Sequence, residues 1–141
     1  MRHRGYLAVA FIALATCGVA AEDKPYRINS KDVGWDSIDV TISEVSRKGS
    51  VSVLRIPHYE SRTAVEARFA MCAFTDMAIR RDFAVWIVSG ASAKDDLVRV
   101  GFLKSENEDA AKLLGAEFVG DKALRTSVDT INVLCGIRKS K

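Results

Sequence analysis

The first 21 residues of the chain differ sharply from the rest, and this boundary sets how much sequence is left to fold. A basic start is followed by the uncharged run Gly5–Ala21 and then by the charged residues Glu22 and Asp23. This order, with small residues at its end, is typical of a secretory signal peptide. We predict cleavage after Ala21 and export of the protein to the periplasm or the medium.

Two other interpretations of this segment stay open. An uncleaved membrane anchor is less favoured, because the uncharged stretch has 17 residues, whereas a spanning helix needs ~20. The sequence Leu14–Cys17 also resembles a bacterial lipobox, in which the cysteine is acylated and becomes the new amino terminus. Lipid anchorage at Cys17 is therefore the alternative localisation, and we expect contact with a membrane only in that case.

Cleavage would leave 120 of the 141 residues, which is the size of one domain with a single core. We therefore predict one small domain over residues 22–141. After cleavage its charge is nearly balanced, with 19 basic and 18 acidic residues. Binding to nucleic acid is not expected, because it depends on clustered lysines and arginines that neutralise phosphates.

Alternating apolar residues predict a β-hairpin near the start of this domain. From residue 37 onward, Ile38, Val40 and Ile42 alternate with polar residues, which is the period of a strand with one buried face. A polar turn then returns the chain into a second apolar segment, Val51–Ile56. The polar residues 22–31 are expected to form an irregular lead-in.

The segment from Thr63 to about Arg81 is predicted to be the longest helix. Thr63 and Glu66 fit a capping box, in which the two side chains satisfy free backbone donors. One side of the helix is apolar and is expected to lie on the sheet; its residues are Ala67, Ala70, Met71, Phe74, Met77 and Ala78. The other side carries Val65, Phe69, Cys72 and Ile79. Burial is favoured for this second face, and contact with a protein is the alternative.

The remaining segments complete an α+β pattern. Phe83–Val88 is continuously apolar, as in a central strand covered on both faces, and Leu97–Lys104 is expected to pair with it. Ser105–Glu108 fits a capping box that opens a helix of about three turns. A further helical turn is expected within 121–127, and a last strand over Val128–Ile137. The predicted order is β-β-α-β-β-α-β, a mostly antiparallel sheet of about five strands with one long and one short helix.

This layout behind a signal peptide is similar to that of many small bacterial envelope proteins. The resemblance is one of architecture, and an architecture does not determine function. We expect a non-enzymatic binding or accessory domain whose partner is another envelope protein or a second copy of this chain. No cofactor is expected. A metal site is not expected either, because His58 is the single histidine after cleavage and metal-binding spacings are missing from the sequence.

Two cysteines, Cys72 and Cys135, remain after cleavage, and in an oxidising compartment they predict one disulfide. The alternative is an enzyme that uses Cys72 as a thiol nucleophile. Arg68 and Asp76 lie one helical turn on either side of this cysteine, and His58 precedes the helix. A cation beside Cys72 would lower the pKa of its thiol and favour the reactive thiolate. A disulfide would remove this nucleophile from the resting protein.

The candidate binding residues are His58, Tyr59 and Phe69. His58 and Tyr59 belong to a loop that follows Pro57, where amphipathic rings are available to a partner. Phe69 lies on the second apolar face of the long helix. The loop and this helix side together form the predicted binding surface.

Overall fold

A six-stranded antiparallel sheet organises residues 24–136, which are the part of the chain that the computed structural model describes. The predicted signal peptide, with Cys17, lies outside the described residues. The strands are β1 (Arg27–Asn29), β2 (Thr41–Lys48), β3 (Val51–Arg55), β4 (Val85–Val88), β5 (Leu97–Leu103) and β6 (Leu124–Ser127). Their order across the sheet is β1-β2-β3-β5-β4-β6, and every neighbouring pair is antiparallel.

Three α-helices accompany the sheet: α1 (Ala64–Arg80), α2 (Ala110–Leu113) and α3 (Val128–Cys135). The predicted α+β class is therefore confirmed, with six strands rather than about five. Within the described residues, no helix is long and apolar enough to cross a membrane.

The long helix α1 is confirmed together with its capping box. The Glu66 backbone N–H donates to Thr63 Oγ1 over 3.2 Å, and the Thr63 backbone N–H donates to Glu66 Oε2 over 2.7 Å. One side of α1 packs on the sheet, where the Phe74 and Trp86 rings meet edge to face at 5.3 Å. The other side is also covered, because Phe69 and Cys72 are buried and α3 packs against α1. Burial thus explains the second apolar face at these two residues.

The prediction of a last strand over Val128–Ile137 was wrong. The described part of this segment forms α3, and the strand β6 precedes it where a helical turn was expected. Val128 and Ile131 are buried at helical spacing, whereas Val133, which a strand would have buried, is 84% exposed. A short apolar run fits the periodicity of a strand as well as that of a helix. Here packing against α1 stabilises the helix.

The amino-terminal predictions need correction as well. Part of the expected irregular lead-in is the edge strand β1. The strand predicted from residue 37 begins at Thr41 and continues to Lys48, so that the turn is shorter than expected. A β-bulge between Glu44 and Ser46 shifts the register and breaks the simple alternation in the sequence.

The side of the sheet that faces away from α1 is covered only in part. A stretch that we call the α2 segment, residues 110–118, packs on β4 and β5 through Ala110 and Phe118. Gly101 permits this contact, since a Cβ atom there would lie 2.6 Å from Leu114 Cδ1. The predicted three-turn helix is shortened to α2, with Asp109 as its N-cap instead of Ser105.

Candidate functional site

The predicted disulfide is present. Cys72 of α1 and Cys135 of α3 are bonded, with their Cα atoms 5.6 Å apart. The bond joins the two helices on the α1 side of the sheet. In this state Cys72 carries no free thiol, and it is not available as a nucleophile.

The residues that flank Cys72 on α1 have other partners. The Arg68 guanidinium donates to the Leu134 carbonyl oxygen over 2.9 Å, and Asp76 accepts from the Tyr26 hydroxyl over 2.8 Å. Burial, followed by the neighbouring Asp76 charge, raises the pKa of Tyr26 far above its usual range. Arg68 and Asp76 therefore form hydrogen bonds to other parts of the fold in the resting structure.

The structure places His58 and Tyr59 on a well-anchored loop. His58 is exposed and adopts a left-handed backbone conformation with φ of 56°. The Tyr59 backbone N–H donates to Asp96 Oδ1 over 3.3 Å, and the Arg62 guanidinium lies 3.9 Å from the centre of the Tyr59 ring. Burial raises the pKa of the half-buried Tyr59 hydroxyl above its usual value.

Phe69 does not belong to the same surface as this loop. It is 1% exposed and meets the Trp35 ring edge to face at 5.6 Å. A partner therefore cannot reach Phe69 in this structure. The predicted surface of His58, Tyr59 and Phe69 is reduced to the two loop residues.

A second surface, which the sequence reasoning missed, lies on the uncovered part of the sheet. Gly101 faces the α2 segment, and Val51 is its partner across β3 and β5. Because side chains alternate along a strand, Val53 and Arg55 share this side with Val51. Strand pairing adds their neighbours, and we call the whole set the basic face: Arg27, Ser43, Ser46, Lys48, Val51, Val53, Arg55 and Arg99.

These residues form three rows across the strands. Lys48 lies opposite Val51 in the first row. In the second row, Val53 lies between Ser46 and Arg99. The third row contains Arg27, Ser43 and Arg55 on three successive strands.

The basic face carries excess positive charge, although the described residues 24–136 as a whole contain equal numbers of acidic and basic side chains. Arg99 pairs with Glu117 through an Nε to Oε1 distance of 2.8 Å. Arg27 donates to the Ser43 hydroxyl over 3.3 Å. Lys48 and Arg55 are exposed, and neither forms an ion pair with another described residue. The face thus presents more positive than negative charge to solvent.

A groove of about 600 Å³ runs along one end of the basic face. Its floor includes Val51 and Val53, and the α2 segment forms a wall with Leu113 and Leu114. Lys48 and Arg99 also line it; their positions place cations beside the apolar floor. The groove combines groups that attract carboxylates with groups that pack on apolar side chains.

The opposite side of the sheet carries a buried ionic cluster that is structural in character. Glu44 is 8% exposed and accepts hydrogen bonds from Arg47 Nε over 2.6 Å and from the Arg81 guanidinium. Burial by itself would raise the pKa of Glu44, but the hydrogen bonds from Arg47 and Arg81 outweigh it and hold the pKa below its usual value. Among residues 24–136, no group of three or more histidine, cysteine or acidic side chains is arranged to hold a metal ion.

The basic face left only a weak signal in the sequence. The predicted strand Val51–Ile56 already places two valines and Arg55 on one side, but the sequence does not show that this side stays uncovered. Comparison of the chain with protein-family models, with curated proteins and with solved structures found no match.

Proposed function

We propose that this protein is a small exported domain of the cell envelope that binds a partner through its basic face and has no enzymatic activity of its own. The uncovered, cation-bearing half of the sheet is the observation that carries this proposal. A sheet face that is left open beside a covered one, and that carries excess positive charge, is suited to a partner of opposite charge.

The disulfide supports the exported location. Disulfides persist in oxidising compartments and are rare in reducing ones. The bond between Cys72 and Cys135 agrees with the signal peptide that residues 1–21 predict. Together the two features favour a protein that works outside the cytoplasm.

The groups on the basic face favour binding over catalysis. The face offers guanidinium, ammonium, hydroxyl and valine side chains, which attract anions and apolar groups. The alternative of a thiol enzyme would require reduction of the bond between Cys72 and Cys135 before any turnover. His58 and Tyr59 follow β3 at the end of the sheet where Arg55 lies, and a partner on the basic face has this loop nearby.

Site-specific photo-cross-linking in the native cell tests the binding proposal. A photoreactive amino acid replaces Ser46 on the basic face, and in a control protein it replaces Val133, which is 84% exposed on α3 at the α1 side of the sheet. We expect a discrete adduct from position 46 and none of the same mass from position 133. Identical patterns from both positions, or an adduct from position 133 alone, would contradict the proposal.

The intact mass of the protein from its native envelope tests the location. A species that begins at Glu22 and resists thiol alkylation until reduction is expected for an exported domain with a disulfide. A species that begins at acylated Cys17 would instead favour the lipid-anchored alternative. Alkylation of Cys72 without reduction would return the thiol enzyme to consideration.

A further inference from the structure

We infer that the basic face binds an extended, acidic peptide segment of a partner protein, with an apolar side chain of that segment seated over Val51 and Val53. This inference rests on the proposed function and adds the chemistry of the partner. The spacing of the cations, the apolar floor between them and the wall beside the groove support it.

Two cations of the basic face, Lys48 and Arg55, are accessible to carboxylates from outside the described residues. Glu117 pairs with Arg99, whereas neither Lys48 nor Arg55 forms an ion pair with a described residue. Both are exposed side chains on one side of the sheet. A segment that crosses the face with two carboxylates would therefore complement both cations at once.

The spacing of the rows matches an extended peptide. The row of Lys48 and the row of Arg55 are four residues apart along β3, because Lys48 is opposite Val51. At ~3.3 Å per residue this is about 13 Å, and Val53 lies midway. In an extended peptide, side chains on one side also recur at every second residue, with the same rise of ~3.3 Å per residue. Acidic, apolar and acidic residues at positions i, i+2 and i+4 therefore reach Lys48, Val53 and Arg55 in turn.

The shape of the groove favours a peptide over a membrane surface. The α2 segment stands above the sheet, and its Leu113 and Leu114 form a wall beside the valine floor. A planar bilayer meets this wall before it reaches Val51 and Val53, whereas a single peptide segment fits beside it. Leu113, which is 57% exposed, supplies apolar surface on the wall for the same side chain.

A designed peptide set tests this inference directly on the oxidised, signal-free protein. The probe is a fluorescein-labelled peptide with glutamate, leucine and glutamate at alternate positions and serine between them. Fluorescence anisotropy should give saturable binding that weakens as the salt concentration rises. Replacing the leucine by serine should raise the Kd about fivefold, and replacing both glutamates by lysine should abolish binding.

Charge-reversed proteins locate the peptide on the molecule. Arg55→Glu and Lys48→Glu should each raise the Kd for the probe at least about tenfold. Lys122→Glu, a matched change at an exposed position before β6 at the other edge of the sheet, should leave it within about twofold. A peptide with one glutamate replaced by lysine should regain affinity for Arg55→Glu. All three substitutions are at exposed positions, so that circular dichroism and the urea midpoint should stay unchanged.

The possible results separate this inference from the proposed function. Equal binding of the probe by Arg55→Glu and Lys122→Glu would overturn the inference. Stronger binding to vesicles with one quarter anionic phosphatidylglycerol, lost in Arg55→Glu and in Lys48→Glu, would overturn it in favour of a membrane. Failure of the peptides together with an adduct from position 46 would overturn the peptide partner and leave the binding function standing. Absence of both would overturn both.

Discussion

At the residue scale, the core is organised by one buried polar contact. Trp86 and Thr75 are both 0% exposed, and Trp86 Nε1–H donates to Thr75 Oγ1 over 2.9 Å. The Thr75 hydroxyl in turn donates to the Met71 carbonyl oxygen. A buried donor without a partner is costly, so this contact ties the orientation of the indole ring to α1.

We predict that Thr75→Val lowers the free energy of unfolding by about 1–3 kcal/mol, because the volume is kept while the indole N–H loses its acceptor. Urea denaturation measures the change. In a Trp86→Phe background the donor is missing already, and the same substitution should cost clearly less. An equal cost in both backgrounds would show that the hydrogen bond is not the cause.

At Glu44, burial and the neighbouring charges have opposite effects on the pKa of the carboxyl. The pKa of its carboxyl is lower in the folded protein than in the unfolded chain, because Arg47 and Arg81 outweigh burial. The ionised carboxylate therefore stabilises the fold above the unfolded pKa of about 4.3, and this contribution is lost as the pH falls through the lower, folded value.

We expect Glu44→Gln to destabilise the protein by about 3–5 kcal/mol at pH 7, because it removes the buried carboxylate charge that Arg47 and Arg81 both contact. The difference from the wild type should begin to shrink as the pH falls below about 4.3, where the carboxyl of the unfolded wild-type chain takes up a proton, and should go on shrinking down to the lower pKa of the folded carboxyl. Urea denaturation from pH 7 to pH 3 measures both effects. Asp39→Asn, at an exposed carboxylate, serves as the control and should change little. A constant difference at all pH values would contradict this account.

At the scale of elements, α3 depends on α1 more than on the sheet. The disulfide and the hydrogen bond from Arg68 to Leu134 both join α3 to α1. Only Val128 and Ile131 of α3 are buried, and Val133 and Leu134 are exposed. The helix is short, and short helices gain most of their stability from tertiary contacts.

The double variant Cys72→Ala/Cys135→Ala should lose about 4 kcal/mol of stability, which is the chain-entropy expectation for cysteines 63 residues apart. Hydrogen exchange should show that amides of α3 lose protection before those of β4 and β5. Reduced wild-type protein is the matched control, and its α3 amides should lose protection as they do in the double variant. Unchanged protection of α3 would show that packing alone holds it.

At the scale of the whole molecule, two apolar clusters share the same strands. On the α1 side the core includes Trp86 and Phe102, and on the other side Val85 and Leu103 contact the α2 segment. Because β4 and β5 contribute to both clusters, loss of one side removes the support of the other. The half of the sheet beyond the α2 segment is stabilised from the α1 side, and this leaves the basic face open.

We therefore predict a single cooperative unfolding transition for the oxidised protein. In a Trp35→Phe variant, fluorescence reports on Trp86 alone, and its urea midpoint should equal the midpoint from far-ultraviolet circular dichroism. The wild type provides the reference for both signals. A second transition in circular dichroism at lower urea would indicate that part of the sheet unfolds separately.

The sequence by itself determined the features that depend on local contacts. The capping box at Thr63 and Glu66 sets the start of α1, because its hydrogen bonds join residues three positions apart. The apolar run around Trp86 indicates a strand covered on both faces, and the order of the first strands and α1 follows from their periodicity. The two cysteines predict their bond, because the predicted mature chain contains no other cysteine.

Only the tertiary structure decided the features that depend on distant contacts. The segment from Val128 fits a strand or a helix locally, and its packing on α1 makes it α3. Phe69 lies in the core rather than on a surface because Trp35, far away in sequence, covers it. The basic face exists because the α2 segment stops halfway across the sheet, beside Gly101. Which side of a strand stays open depends on the element that packs on it. Local periodicity does not identify that element.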